Sequence, residues 1–61
     1  MKAVDFIKLI EKVGWEFARQ NGSHKVFKHP DKPNNLSIPC HKGKDINSKL
    51  LKRLIKDAGL Q

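Results

Sequence analysis

The 61-residue sequence carries a single cysteine, Cys40, so it can form no internal disulfide. Small secreted domains usually depend on such bridges, which makes a reducing cytoplasm the expected compartment. Long apolar stretches are missing too. No uninterrupted run exceeds two residues, as in Ala3-Val4 or Leu50-Leu51. That leaves no signal-peptide core and no membrane span. Metal ligands are few. His24, His29, Cys40 and His41 match no familiar zinc spacing and no CxxC pair is present, so no metal or other cofactor is expected. Carboxylates are also scarce. Six Asp/Glu face 13 Lys/Arg, for a net charge of +7, and a field of that sign on so small a body suits a polyanionic partner.

Length sets the next bound. A chain of this size is one domain at most, here expected over residues 1–61. It buries only roughly 60% of the surface of its unfolded state. No deep cleft fits inside it. Chemistry would take place on an open face, with a large partner supplying the opposite wall.

What is present is well patterned. Ala3, Phe6, Ile7, Ile10 and Val13 recur at helical spacing, with Asp5, Lys8, Glu11 and Lys12 opposite, and Gly14 follows as a stop. The spacing predicts a helix over about Lys2 to Val13 with a core-facing stripe. Trp15 and Phe17 then alternate with Glu16 and Ala18, and a second alternating run extends from His24 or Lys25 to His29. Asn21-Gly22 between them is a hairpin signal, because both residue types tolerate positive φ. Pro30 should end the second strand, and Pro30-Asp31-Lys32-Pro33-Asn34-Asn35 reads as a turn-rich connection. Leu36-Ser37-Ile38 reads as a third short strand. A final helix runs from Asn47 or Ser48 to Ala58, capped by Asn47 or Asp45 and stopped by Gly59. Leu50, Leu51, Leu54, Ile55 and Ala58 form its apolar stripe. Lys49, Lys52, Arg53 and Lys56 form a separate basic stripe.

The charge is concentrated there. Lys42, Lys44, Lys49, Lys52, Arg53 and Lys56 are opposed only by Asp45 within residues 42–56. The order helix, strand, strand, strand, helix, with tight turns between strands, implies an antiparallel three-stranded sheet with both helices on one face. This two-layer αβββα sandwich is the element order of double-stranded RNA-binding domains, which recognise shape and backbone.

His24 is the candidate chemical residue. It follows Asn21-Gly22-Ser23 at a strand entrance, and histidine is the side chain whose ordinary titration lies near neutral pH. RNA carries its own nucleophile, the 2′-hydroxyl. Cleavage therefore needs a base, an acid for the 5′-oxygen and positive charge for the phosphate. His24 could be base or acid, and Lys25, Lys28 or the basic helix could supply charge. Gly22 would allow close backbone approach and Ser23 could orient the ring. His29 and His41 are candidates for a second proton-transfer group. Trp15 is expected in the core rather than as a base-stacking platform. Cys40 is expected as a small buried hydrophobe, since its neighbour His41 would point away from it.

The ordered set Gly14-Trp15, Arg19-Gln20-Asn21-Gly22-Ser23-His24, Phe27-Lys28-His29-Pro30, Ile38-Pro39-Cys40-His41 and Leu54-Ile55-Lys56-Asp57-Ala58-Gly59-Leu60 resembles the HicA-type toxins of HicA–HicB toxin–antitoxin pairs. The resemblance spans nearly the whole chain, and Gly-Ser-His is its most specific element. It implies a double-stranded-RNA-binding-domain-like fold and translation-independent cleavage of mRNA, with His24 as the catalytic histidine. It also implies a HicB antitoxin that covers the His24 surface and reaches operator DNA on the toxin's behalf. Lys25 departs from the family, where a second histidine is frequent, and the Asp31–Asn35 loop reads as slightly long. The alternative from the residues alone is a non-catalytic RNA- or DNA-binding module using the basic helix. A weaker one is an adaptor for an acidic protein.

Overall fold

The computed structural model describes residues 1–40 and 45–60. Helix α1 (Ala3–Lys12) leads into β1 (Glu16–Asn21), β2 (His24–His29) and β3 (Lys32–Pro39), and α2 (Ser48–Ala58) closes the order. The strands form one antiparallel sheet in the order β1-β2-β3. Ala3, Phe6 and Ile10 of α1 and Leu54 and Ala58 of α2 pack in one cluster with Trp15, Phe27, Leu36, Ile38 and Ile46. Both helices therefore cover the same sheet face, and the expected αβββα sandwich is the fold.

Both helices end in the same way. Gly14 and Trp15 donate their N–H groups to Glu11 and Ile10, and Gly59 and Leu60 donate theirs to Lys56 and Ile55. These are Schellman caps, in which the residue beyond the left-handed position folds back over the last turn. In α1 that residue is Trp15, which is buried against Ile10. Its indole Nε1 donates to the Ala58 carbonyl at 3.3 Å, so one side chain ties the two helix C-termini together. At the other end, Asp45 bridges Lys2 and the Ile46 N–H donates to the Met1 carbonyl at 2.8 Å. The helices run side by side, with both N-termini at the end of the sheet that carries the β1–β2 hairpin. Asn47 caps α2 as expected, its side chain accepting from the Lys49 N–H at 2.8 Å.

Four expectations need correction. Val13 is not core: it is 47% exposed, because α1 ends at Lys12 and Val13 turns into the cap. β1 is exposed along its whole length rather than half buried. It is an edge strand, and Phe17 keeps 53% exposure while meeting Phe27 edge to face at 5.8 Å. The hairpin loop is Gly22-Ser23, since Asn21 pairs with His24 inside the ladder. Gly22 has φ +59° and no non-glycine among the described residues has positive φ, so only the first loop position is left-handed, as in a type II′ turn.

The fourth concerns β3. It begins at Lys32, not Leu36, so the connection from β2 is the two residues Pro30 and Asp31 and no long loop exists. Leu36 pairs with Phe27 and Lys32 with His29, which leaves Pro33, Asn34 and Asn35 bulged opposite Lys28. A proline without a donor is tolerated at such a bulge on an edge strand.

Candidate functional site

The β1–β2 register decides which side chains surround His24. Phe17 pairs with Phe27 but Arg19 pairs with Val26, so Ala18 is an extra residue in β1. Directly paired residues share a sheet face. Phe27 faces the helices, as its place in the core shows. Val26 is 5% exposed and stands outside that cluster. Alternation thus puts His24, Val26 and Lys28 on the face opposite the helices, with Arg19 and Asn21 across from Val26 and His24 and with Ser37 and Pro39 on the other side. Both Val26 and Phe27 are buried, one on each face.

His24 is exposed on this face. The loop before it is braced at two carbonyls. Gln20 Nε2 donates to the Gly22 carbonyl at 2.9 Å. The Cys40 N–H donates to the Ser23 carbonyl at 2.7 Å, extending the β2–β3 ladder by one bond. A methyl group placed at Gly22 would meet nothing within 4 Å, so backbone at the turn is open to approach. Ser23 is half-buried. Both helix N-termini, the positive ends of their dipoles, lie at this end of the molecule.

The expected binding residues divide. Lys28 shares the face of His24 but stands four strand positions away, about 13 Å along the backbone, with Glu16 opposite it in the register. Lys25 is half-buried and alternates onto the helix side, paired with Gln20 and Ile38. Lys49, Lys52, Arg53 and Lys56 are exposed on α2. Arg53 lies 3.8 Å from Asp57, an exposed pair of small energetic weight. Beside it, a shallow cleft of about 230 Å³ runs between α2 and β3, lined by Asn35, Ser37, Leu50, Arg53 and Asp57 among others. The α2 stripe belongs to the helix layer, so it and His24 occupy opposite layers of the sandwich.

His29 is a structural residue. Its Nδ1 accepts from the Asp31 N–H at 3.0 Å, which leaves the ring proton on Nε2 to donate to the Val13 carbonyl at 2.9 Å. Its ring meets Trp15 edge to face at 5.2 Å. It also sits five positions from His24, roughly 17 Å along the strand, and on the other face. It cannot share a reacting phosphate with His24. His41, the other candidate second group, lies outside the described residues, as do Lys42, Gly43 and Lys44. Cys40 is half-buried and packed against the core, as expected of a small hydrophobe.

Sequence reasoning passed over Arg19 and Asn21 as neighbours of His24. Strict alternation from Trp15 puts both with Phe17 on the helix side, and a one-residue bulge reverses them. The available signal was the mismatch itself: Arg19 and Asn21 are poor candidates for a buried face.

These elements define a small two-layer αβββα protein with a histidine displayed at a braced hairpin and a cationic helix behind it. A comparison with protein-family models matches residues 3–60 to the HicA toxin of bacterial toxin–antitoxin systems. The chain belongs to the HicA toxin family. A comparison with curated proteins gives no significant match. Among the described residues, no helix is long and apolar enough to cross a membrane.

Proposed function

We propose that this toxin is a metal-independent, translation-independent mRNA endoribonuclease of the cytoplasm, with His24 as its proton-transfer residue. The carrying observation is the presentation of His24 at a braced, exposed turn in a member of a toxin family. The reaction is a transesterification. The 2′-oxygen gives its proton to His24 and forms a bond to phosphorus. The bond from phosphorus to the 5′-oxygen breaks, and that oxygen takes a proton from the imidazolium or from water. The products are a 2′,3′-cyclic phosphate and a 5′-hydroxyl. The nucleophile is internal to the RNA, so no metal hydroxide has to be generated.

Gly22 and Ser23 would admit the backbone of the RNA at the turn, and Lys28 would hold a phosphate further along the same face. Lys49, Lys52, Arg53 and Lys56 would hold flanking RNA on the helix layer. Lys25, half-buried on that side, fits a supporting role for the same stretch. The inhibitor is an acidic HicB-type antitoxin seated over His24, since an open face has no lid of its own. Charge contrast would speed their association, and operator DNA would be reached only through the antitoxin.

Changing Lys49, Lys52 and Lys56 together to Glu should abolish RNA association and flatten its salt dependence, read by titration at several ionic strengths. His24→Ala should lower cleavage by about 10²–10⁴-fold with RNA binding retained. An unchanged rate in that variant would favour the second reading, a non-catalytic RNA- or DNA-binding module, which the exposed cations of α2 support by themselves.

A further inference from the structure

We propose that Arg19 is the group that holds the non-bridging oxygens of the scissile phosphate beside His24; this rests on the ribonuclease reading above. The bulge at Ala18 decides which face Arg19 takes. In an unbroken strand Arg19 would share the face of Phe17 and point toward the helices. The extra residue shifts the phase, so Phe17 meets Phe27 on the core side while Arg19 stands across from Val26 on the side of His24. Bulges recur near active sites because they re-aim a side chain in this way.

The position suits the task. Arg19 is diagonal to His24 across the β1–β2 pair, a spacing of roughly 7–8 Å that long side chains cover easily. Val26 lies between them as a buried apolar floor, and apolar surroundings strengthen a charge-assisted hydrogen bond. Arg19 is exposed, and no carboxylate among the described residues lies within salt-bridge distance of it. Three other cations among the described residues are placed worse. Lys28 is about 13 Å along the strand, Lys25 alternates to the opposite face, and Arg53 is paired with Asp57 in the helix layer. A planar guanidinium can also grip two phosphate oxygens at once, which an ammonium cannot. As the 2′-oxygen attacks, negative charge builds on those oxygens, and a donor already aimed at them lowers the barrier. Arg19 moves no proton.

The test compares wild type, His24→Ala, Arg19→Ala and Arg19→Lys on one RNA under single-turnover conditions. Arg19→Ala should lose about 10²–10³-fold in the cleavage step, with RNA binding changed several-fold at most and thermal unfolding unchanged. Arg19→Lys should recover part of the loss. Added guanidinium ion, at concentrations that do not unfold the protein, should raise the rate of Arg19→Ala and leave His24→Ala unaffected. A merely structural arginine would not be rescued by a free cation of its own shape. If His24→Ala is inactive but Arg19→Ala cleaves at the wild-type rate, or its loss lies in binding alone, the role of Arg19 is overturned and that of His24 stands. If His24→Ala cleaves like wild type, or wild type does not cleave RNA, the ribonuclease reading falls and the role of Arg19 falls with it.

Discussion

Strand β2 begins and ends with a histidine, and the two ends hold the same side chain in different surroundings. At His29 both ring nitrogens are engaged by backbone, the ring leans on Trp15, and the helix cap of α1 closes over it. At His24 the side chain is exposed beside a two-residue turn braced at the Gly22 and Ser23 carbonyls. The His29 end is where the two helix C-termini, the start of β1 and the β2–β3 turn converge, so a side chain there is surrounded. At the His24 end Asn21, Gly22 and His24 are exposed, while Ser23 is half-buried and bonded to Cys40. Placement in the fold, not residue type, separates a packed histidine from an exposed one.

The sharpest way to break that contrast is at the two glycines beside these ends. Gly14→Ala should cost the most, about 2–4 kcal/mol, from strain at a left-handed position and a forced displacement in a packed site. Its φ is +102°, and the added methyl would stand 2.8 Å from His29 Nε2, an atom held to the Val13 carbonyl. Next is His29→Ala, which removes two hydrogen bonds and an aromatic contact, worth about 1–3 kcal/mol. That would lower the unfolding midpoint by on the order of 10 °C in a domain of this size. The two changes should be less than additive in the double variant, because removing the ring removes the clash.

Effects at the hairpin end should be smaller. Gly22→Ala meets open space and should cost about 1–2 kcal/mol for the left-handed backbone alone. His24→Ala should change stability by no more than about 0.5 kcal/mol, as for other exposed positions. Chemical denaturation of the five variants would order them. A hairpin-end variant less stable than His29→Ala would invert the comparison.

Much of this was readable beforehand. Phe6, Ile10, Leu54 and Ala58 announced their helices through spacing, and Asn47, Gly14 and Gly59 announced where helices start and stop. What escaped were features set by pairing rather than by local pattern. The bulge at Ala18 inverts Arg19 and Asn21, and no period-two reading shows an inserted residue. Pro33 and the two asparagines after it have the composition of a turn, yet they lie in β3 because the strand is an edge with a bulge. The ring contact of His29 with Val13 joins residues 16 positions apart, while its bond from Asp31 is local. The candidate site followed the same division: His24 was visible from its hairpin, while the company it keeps required the register.

The central claim is that His24 reacts and His29 packs. The direct measurement is RNA cleavage by His24→Ala and His29→Ala, side by side, below both unfolding midpoints and scaled to the folded fraction of each. The account predicts a loss of about 10²–10⁴-fold for His24→Ala and a rate within a few-fold of wild type for His29→Ala. Full cleavage by His24→Ala, or a loss confined to folded His29→Ala, would contradict it.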